Sequence, residues 1–452
     1  MARLTWTNSS VKTFAGNDDP VRKISDETRS LVLKAMDDGW QGPPFDPFWL
    51  AEYLGYSTVP HDDVLDSLVR SRPSGGVEIE YNPNQSRSRI RFSLAHEIAH
   101  TLFPDFAQTV RNRSTHGAGA DGWQLELLCN IAAAEILMPT GLSLDFGSIP
   151  VTIDNVVQLR RKFDVSIEAL LLRIVKLTSQ PVTVFVATRV EDIRNAPYRI
   201  DYSVGSMTSR VKLQPGLRLP AETILAECTA VGYTAKGKES WSTELTELEV
   251  ECVGIPPYAD RSYPRVMGIV RTKGKAEPRL TIKYLIGDAR EPRGNGNRIV
   301  AHIVNDKTPN WGRGFALAVA KKWPDVYKDF QNWAATSKTN LVLGKSHLSP
   351  ASDDLSLFHM VAQHGYGLSP KPRIRYSVLR ECLSVLAKAA AERHATVHMP
   401  RIGTGYAGGN WSVIKELLDE TLIHQGIEVT VYDLAGREIR PKQDLLEFGV
   451  SE

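Results

Sequence analysis

Apolar residues recur at helical spacing through the first part of the chain, then in short alternating runs, then in strand-length runs separated by helical ones. The first texture predicts helices over Asp26–Asp37, stopped by Gly39, over Asp46–Tyr53 before Gly55, and over Asp62–Arg70 before Pro73. A hairpin is expected next: Val77–Tyr81 alternates with period two, Asn82–Gln85 supplies turn residues, and Ser88–Phe92 alternates again. Ser93 then caps a helix to about Phe103, ended by Pro104. Asp121 with Gln124 forms a capping box for a helix through Leu125 to Met138, ended by Pro139. Helices over Ile153–Phe163 and Ser166–Leu177 close this region.

From Pro181 the pattern shortens to strands such as Val182–Ala187, Leu248–Cys252 and Pro264–Thr272, a small α+β or all-β unit. The last portion alternates strands and helices. Strands are expected at Leu280–Ile286, Ile299–Val304, Leu355–Ala362, Thr396–Met399 and Glu428–Asp433, with helices from Gly314, over Arg375–Glu392 and over Ser412–His424. That order specifies an α/β sandwich on a mostly parallel sheet. Thr272–Pro278, rich in Pro, Lys and Gly, is the expected linker. The expected domains are 1–180, 181–278 and 279–452, consistent with 452 residues being more than one core usually serves.

A formal charge of +2 excludes a general polyanion binder, although a local basic patch remains open. Cys129, Cys228, Cys252 and Cys382 are widely spaced with no CxxC, which suggests neither a thiolate zinc site nor a disulfide framework. No signal-like apolar core and no 18-residue apolar run occur, so a cytoplasmic location is expected.

His96-Glu97-Ile98-Ala99-His100 is an HExxH motif. Residues four apart on a helix project about 40° from each other, so both imidazoles can hold one metal ion. Catalytic zinc takes three protein ligands, and the third candidates are Glu126 and Glu135, which nine-residue spacing sets about 180° apart on one helix. Spacing does not choose between them. Tyr81 and His116 are among the candidates for stabilising an oxyanion, again with no spacing rule.

The stretch from Gly75 to Pro139, with RFSLAHEIAH followed by ELLCNIAAAEILMP, resembles the ImmA/IrrE family of zinc metallopeptidases, which cleave or inactivate transcriptional repressors in stress and mobile-element control. The resemblance implies Zn2+ held by His96, His100 and Glu126, the Glu four residues before Asn130. It also implies Glu97 as general base. The helices Val156–Leu177, with Arg160, Arg161 and Lys162 nearby, have the short-turn look of a helix-turn-helix, but the recognition face is largely apolar and bundle packing is the expectation over DNA contact.

Glycine-bearing loops fall at the strand ends of the last portion: Gly287-Asp288, Asn305-Asp306 leading to Trp311–Phe315, Gln363–Gly367, and Pro400–Trp411. Glycines there let backbone amides approach phosphates, and the following helices add their positive ends. Strand-GD, GRGFALAVAKKWP and MPRIGTG resemble a macrodomain, the ADP-ribose-binding fold, over about Arg279 to Leu434. The closest look is to the branch holding the chromatin-remodeller reader and the terminal ADP-ribose glycohydrolase. The resemblance implies Asp288 at the adenine amino group. It places Gly312 and Gly314 in the loop lining the phosphates and distal ribose, and Gly403, Thr404, Gly405 and Tyr406 at the diphosphate, with Asn305 and Phe315 also expected to bind ADP-ribose. Trp411 is read as packing. The glycohydrolase branch uses a Lys and an Asp where this chain has Gln363 or His364 and Ala407 or Gly408, so binding is favoured over hydrolysis, with His364, Asp306 and Asn305 left for another mechanism.

Together these readings give a multidomain chain: a helical zincin-like peptidase domain with a β-hairpin, a small strand-rich middle domain, and an α/β/α macrodomain. The expected activity is zinc-dependent cleavage of a regulatory protein, recruited or regulated by ADP-ribose, free or attached to a macromolecule. The alternatives are an ADP-ribosyl hydrolase with a structural or positioning zinc module, and a DNA-binding regulator without catalysis.

Overall fold

The computed structural model describes residues 6–72, 75–106, 111–112, 122–139, 150–190, 197–206, 208–257, 262–272, 280–367, 369 and 371–434. His116, Asp121 and 273–278 of the expected linker lie outside them. The described residues divide into two compact units, one drawn from 1–32, 40–139 and 145–279, the other from 33–39 and 280–452.

The chain begins with α1 (Ser9–Ala15), α2 (Pro20–Asp37) and α3 (Pro47–Tyr53). Asp46 caps α3 by accepting from the Phe48 amide, with Pro47 at the first helical position where its missing N–H costs nothing. A sheet ordered β1-β3-β2-β4 follows, from β1 (Ser57–Pro60), β2 (Ser67–Ser71), β3 (Val77–Tyr81) and β4 (Arg111–Asn112). The hairpin is formed by β2 and β3, paired from Ser67 with Tyr81 to Ser71 with Val77.

Two expectations are corrected here. Residues 62–70 do not form a helix: Ser67 and Val69 are fully buried while Leu68 is less so, the period of a strand with one face inward. Ser88–Phe92 is not a strand but the first turns of α4 (Arg87–His100), which Ser86 begins from extended backbone. From Ser93 to His100 every residue of α4 is buried, so packing on all sides overrides a five-residue alternation.

α5 (Gly122–Leu137), α6 (Ile153–Phe163) and α7 (Ile167–Leu177) complete the helices of this unit. Thr152 and Ser166 cap the last two by accepting from the amides of Asn155 and Ala169. A five-stranded antiparallel sheet, ordered β6-β5-β9-β8-β7, contains β5 (Thr183–Arg189), β6 (Tyr198–Gly205), β7 (Thr234–Glu239), β8 (Leu248–Ile255) and β9 (Arg265–Thr272). Phe185 lies across from Gly268, where an added Cβ would come within 2.3 Å of its ring, so this strand glycine makes room for the aromatic core residue. α7 is mostly buried and packs against α5, α6, β5 and β6.

The second unit holds a six-stranded sheet ordered β10-β15-β14-β11-β13-β12. Its elements are β10 (Lys283–Ile286), β11 (Arg298–Asn305), α8 (Gly314–Lys322), α9 (Pro324–Thr336), β12 (Ser346–Ser352), β13 (Leu355–Gln363), α10 (Tyr376–Arg393), β14 (Thr396–Pro400), α11 (Trp411–Thr421) and β15 (Val429–Asp433). All neighbours are parallel except β12, which runs against β13. Ile299 and Ala301 of β11 join a core with α10 and α11, while Val300 and Val304 join a core with α8 and α9. The sheet is therefore covered on both faces, as parallel sheets require.

Candidate functional sites

In the first unit, α4 and α5 pack together and bring the HExxH residues against one face of α5. Glu126 Oε2 lies 3.0 Å from His96 Nε2, and Glu126 Oε1 lies 3.7 Å from His100 Nε2. Ligand bonds of 2.0–2.1 Å around tetrahedral zinc set donor atoms about 3.3 Å apart, so two imidazoles and this carboxylate fit that ion. His96 Nδ1 lies 3.0 Å from Asn130 Oδ1; donation to that amide oxygen leaves Nε2 with its lone pair toward Glu126. Glu135, the alternative from spacing, is engaged elsewhere, with Arg29 at 3.2 Å and Arg173 at 2.6 Å.

Two neighbours escaped the reading of the sequence. Cys129 Sγ lies 3.4 Å from His100 Nδ1 and forms, with His96 and His100, a buried group whose donor atoms lie within 4.8 Å of one another. It sits on the Nδ1 edge of His100 whereas Glu126 sits on the Nε2 edge, a placement that orients the ring. The signal was present: Glu126, Cys129 and Asn130 are spaced i, i+3, i+4 and share a helix face. Ser67, at the start of β2, donates to Glu97 Oε1 at 2.6 Å. Tyr81 packs edge-on to Phe48 and lines a cleft with Asp46, Arg87 and Arg91.

In the second unit the parallel strands bring their carboxyl ends to one edge. β11 lies between β13 and β14, so the chain order reverses there and the loops after β11 and β14 flank a crevice. Asn305 Oδ1 accepts from the amides of Lys307 and Thr308, both at 2.9 Å, which shapes the first loop. Gly314 opens α8 with φ +63°, and no side chain of Arg313 caps the helix, so its first amides face the loop. Phe315 packs edge-on to the buried His302 at 5.8 Å. In the second loop Gly403 has φ +74°, and a Cβ there would approach Ile374 Cδ1 to 2.4 Å. Thr404 Oγ1 donates to the Arg401 carbonyl at 2.9 Å. Tyr406 is largely exposed, and the Arg313 guanidinium lies 5.9 Å from its ring, linking the two loops.

Asp288, expected at the adenine, is engaged by Arg290 through Nε at 2.9 Å and Nη2 at 2.5 Å, and these bonds hold its carboxyl below the usual range. Arg401 was not singled out by the sequence. It pairs with Asp433 through two bonds of 2.7 and 2.9 Å and lies over the rings of Tyr284 and Trp411, so Trp411 packs, as expected, at the crevice edge. Gly312, Gly405 and Gly408 lie in the same two loops.

Among the described residues no helix is long and apolar enough to cross a membrane, and no disulfide links the four cysteines.

Residues 52–175 match the IrrE N-terminal-like domain of the peptidase M78 family. A chromodomain-helicase-DNA-binding protein 1-like from Danio rerio is 31% identical over 160 residues, 33% of this chain, which spans 15% of that protein's length. An uncharacterized 17.5 kDa protein of Enterobacteria phage T4 is 38% identical over 148 residues, 31% of this chain and 89% of its own. A macrodomain protein from Streptomyces coelicolor, of solved structure, is 37% identical with a TM-score of 0.30, covering 34% of this chain and 98% of its own. Residues 52–175 thus carry an IrrE N-terminal-like domain of the M78 peptidases, and about a third of the chain is similar in sequence to a macrodomain protein.

Proposed function

We propose that the chain is a zinc-dependent peptidase acting on a regulatory protein in the cytoplasm, and that its macrodomain binds ADP-ribose, free or carried by a macromolecule, to recruit or regulate that cleavage. The observation that carries the peptidase reading is the convergence of His96, His100 and Glu126 beside the buried Glu97.

His96, His100 and Glu126 would hold the zinc ion, which would supply Lewis acidity at the site. Glu97 accepts the proton of the water and returns it to the leaving amine. Ser67 holds one oxygen of Glu97, and Asn130 sets the ring of His96. Calorimetric titration of the intact protein with ADP-ribose, with AMP as control, tests the macrodomain half: micromolar binding that AMP does not reproduce supports it, and no heat removes it. Incubation of the zinc-loaded protein with a peptide library tests the other half. Cleavage abolished by Glu97→Gln supports the reading; no cleavage by the wild type refutes it. Peptide cleavage unchanged by saturating ADP-ribose, together with no recruitment to ADP-ribosylated targets, refutes the coupling.

A further inference from the structure

Two of the four cysteines meet in the core of the five-stranded antiparallel sheet. Cys252 lies within β8, opposite Ala235 of β7 and Gly268 of β9, and Cys228 follows a single 3₁₀ turn, Ile224–Glu227. Their Sγ atoms are 3.6 Å apart. Both residues are buried, in one core with Leu225, Trp241 and Val250. The backbone sets this approach. Cys252 and Gly254 share one face of β8, and a Cβ added at Gly254 would come within 2.1 Å of the Ala230 carbonyl oxygen and 3.6 Å of the Cys228 carbonyl oxygen. Glycine there lets the segment after the 3₁₀ turn lie directly on the strand. The Gly232 amide donates to the Gly254 carbonyl and the Gly254 amide to the Tyr233 carbonyl, both at 2.8 Å. At the other end, Glu239 of β7 accepts from the Thr223 hydroxyl at 2.9 Å and from the Ile224 amide at 2.6 Å. Cys228 sits between these two anchors.

A disulfide holds its sulfurs about 2.05 Å apart, so closing this pair takes about 1.5 Å of movement, which small rotations about the two Cα–Cβ bonds can supply. The thiols are unequal. A hydrogen bond from the Cys252 thiol favours the thiolate of Cys228 and lowers its pKa, whereas the same bond and burial raise that of Cys252. Glu227 and Thr229, on either side of Cys228, are exposed, which places this sulfur just beneath the surface. Cys228 is therefore the sulfur that reacts first, and Cys252 the one that resolves. The strand involved is also the one that caps α6: Glu251, beside Cys252, accepts from the Ile153 amide at 2.9 Å and pairs with Arg271 at 3.0 Å.

We propose that Cys228 and Cys252 are a reversible thiol–disulfide site, oxidised by hydrogen peroxide and reset by a dithiol, that clamps residues 228–233 to β8. The Cys228 thiolate bonds to one oxygen of the peroxide, the O–O bond breaks, and the departing oxygen takes up a proton and leaves as water. The product is a sulfenic acid on Cys228. The Cys252 sulfur then bonds to the Cys228 sulfur. The sulfenic hydroxyl leaves with the proton of Cys252 as a second water. The two cysteines lose two electrons and two protons, and the peroxide is reduced to two waters. A dithiol reverses the change and becomes a disulfide itself. Such a bond forms and breaks with the redox state, as disulfides in a reducing compartment do, in contrast to a permanent structural staple.

The test treats the folded, full-length protein with hydrogen peroxide, stops the reaction by unfolding in an alkylating agent, and maps linked peptides by mass spectrometry. The peptides of Cys228 and Cys252 are expected to be joined in most chains, and dithiothreitol is expected to return both to free thiols. Amides of residues 230–235 are expected to exchange at least about tenfold more slowly in the oxidised protein than in the reduced one. Cys252→Ser is expected to leave Cys228 as a sulfenic acid that dimedone traps, and Cys228→Ser to leave Cys252 unmodified. Recovery of both cysteines as free thiols, at a peroxide dose that oxidises glutathione completely, overturns the site. Linkage of either one to Cys129, to Cys382 or to a second chain also overturns it. A joined pair whose segment exchanges at the reduced rate overturns the clamp. The mapping and exchange are read on the wild type, so they decide the matter even where a serine variant fails to fold.

Discussion

Ser67 donates a 2.6 Å hydrogen bond to Glu97 Oε1, and both side chains are fully buried. The strand thereby orients the carboxylate. Glu97→Gln is expected to slow peptide hydrolysis about 10²- to 10⁴-fold with zinc content unchanged in elemental analysis. Ser67→Ala removes one hydrogen bond and is expected to cost about tenfold, mostly in kcat, with Ser67→Thr restoring most of the rate. Loss of zinc from the Glu97 variant would contradict its role as base.

The two glutamates of α5 separate metal binding from stability. Glu126 faces the histidines, whereas Glu135 is 5% exposed and paired with Arg29 and Arg173. Glu126→Ala is expected to lower zinc content while the unfolding midpoint of the metal-free protein stays close to that of wild type. Glu135→Ala is expected to retain zinc and to cost about 3–5 kcal/mol, because it strands buried arginine charge. The reverse pattern in paired zinc and denaturation measurements would exchange the two assignments.

These two glutamates also show what could be read in the sequence. Helical period set them on opposite sides of one helix, and α5 does run through both, but period alone could not say which side the histidines occupy. That depends on how α4 packs, a long-range contact. The parallel sheet of the second unit was legible because Val/Ile/Leu runs and Gly-bearing strand ends are local signals. The strand at Ser67–Ser71 was not, since Leu65, Leu68 and Val69 also suit a helix, and misreading it concealed the partner of Glu97. β12 escaped as well: SHLSPAS carries a proline and few apolar residues, tolerated because it is the antiparallel edge strand.

Gly403 ties the second crevice loop to the core beneath it. Its φ of +74° and the contacts a Cβ would make with Ile374 at 2.4 Å and Ile414 at 3.0 Å leave room only for glycine. Gly403→Ala is expected to destabilise the macrodomain by about 1–3 kcal/mol and to weaken ADP-ribose binding at least tenfold, as the loop amides shift. Calorimetry and unfolding on one preparation measure both. Unchanged affinity would detach this loop from the ligand.

The buried histidines of the sheet fix how the macrodomain responds to acid. His302 Nε2 lies 2.7 Å from His359 Nδ1, and His359 Nε2 lies 3.1 Å from Ser349 Oγ, which donates to Asp329, itself 2.7 Å from His347. Trp311 and Phe315 cover His302. Burial drives His302 down from 6.5 to about 3, and burial together with the neighbouring histidines drives His359 well below its ordinary value. A folded pKa depressed below the unfolded one means that the unfolded chain binds the proton first. Stability is therefore full above about 6.5 and is lost as pH falls from there toward 3. His302 is expected to cost about 2 kcal/mol between pH 7 and pH 5, at about 1.4 kcal/mol per pH unit below 6.5, and His359 acts in the same direction. Hydrogen exchange of β11 and β13 amides in the intact protein, corrected for intrinsic rates, reads this locally. His302→Gln, which keeps a donor toward His359, is expected to remove about one proton from the slope. An unchanged slope in that variant would place the acid sensitivity elsewhere in the fold.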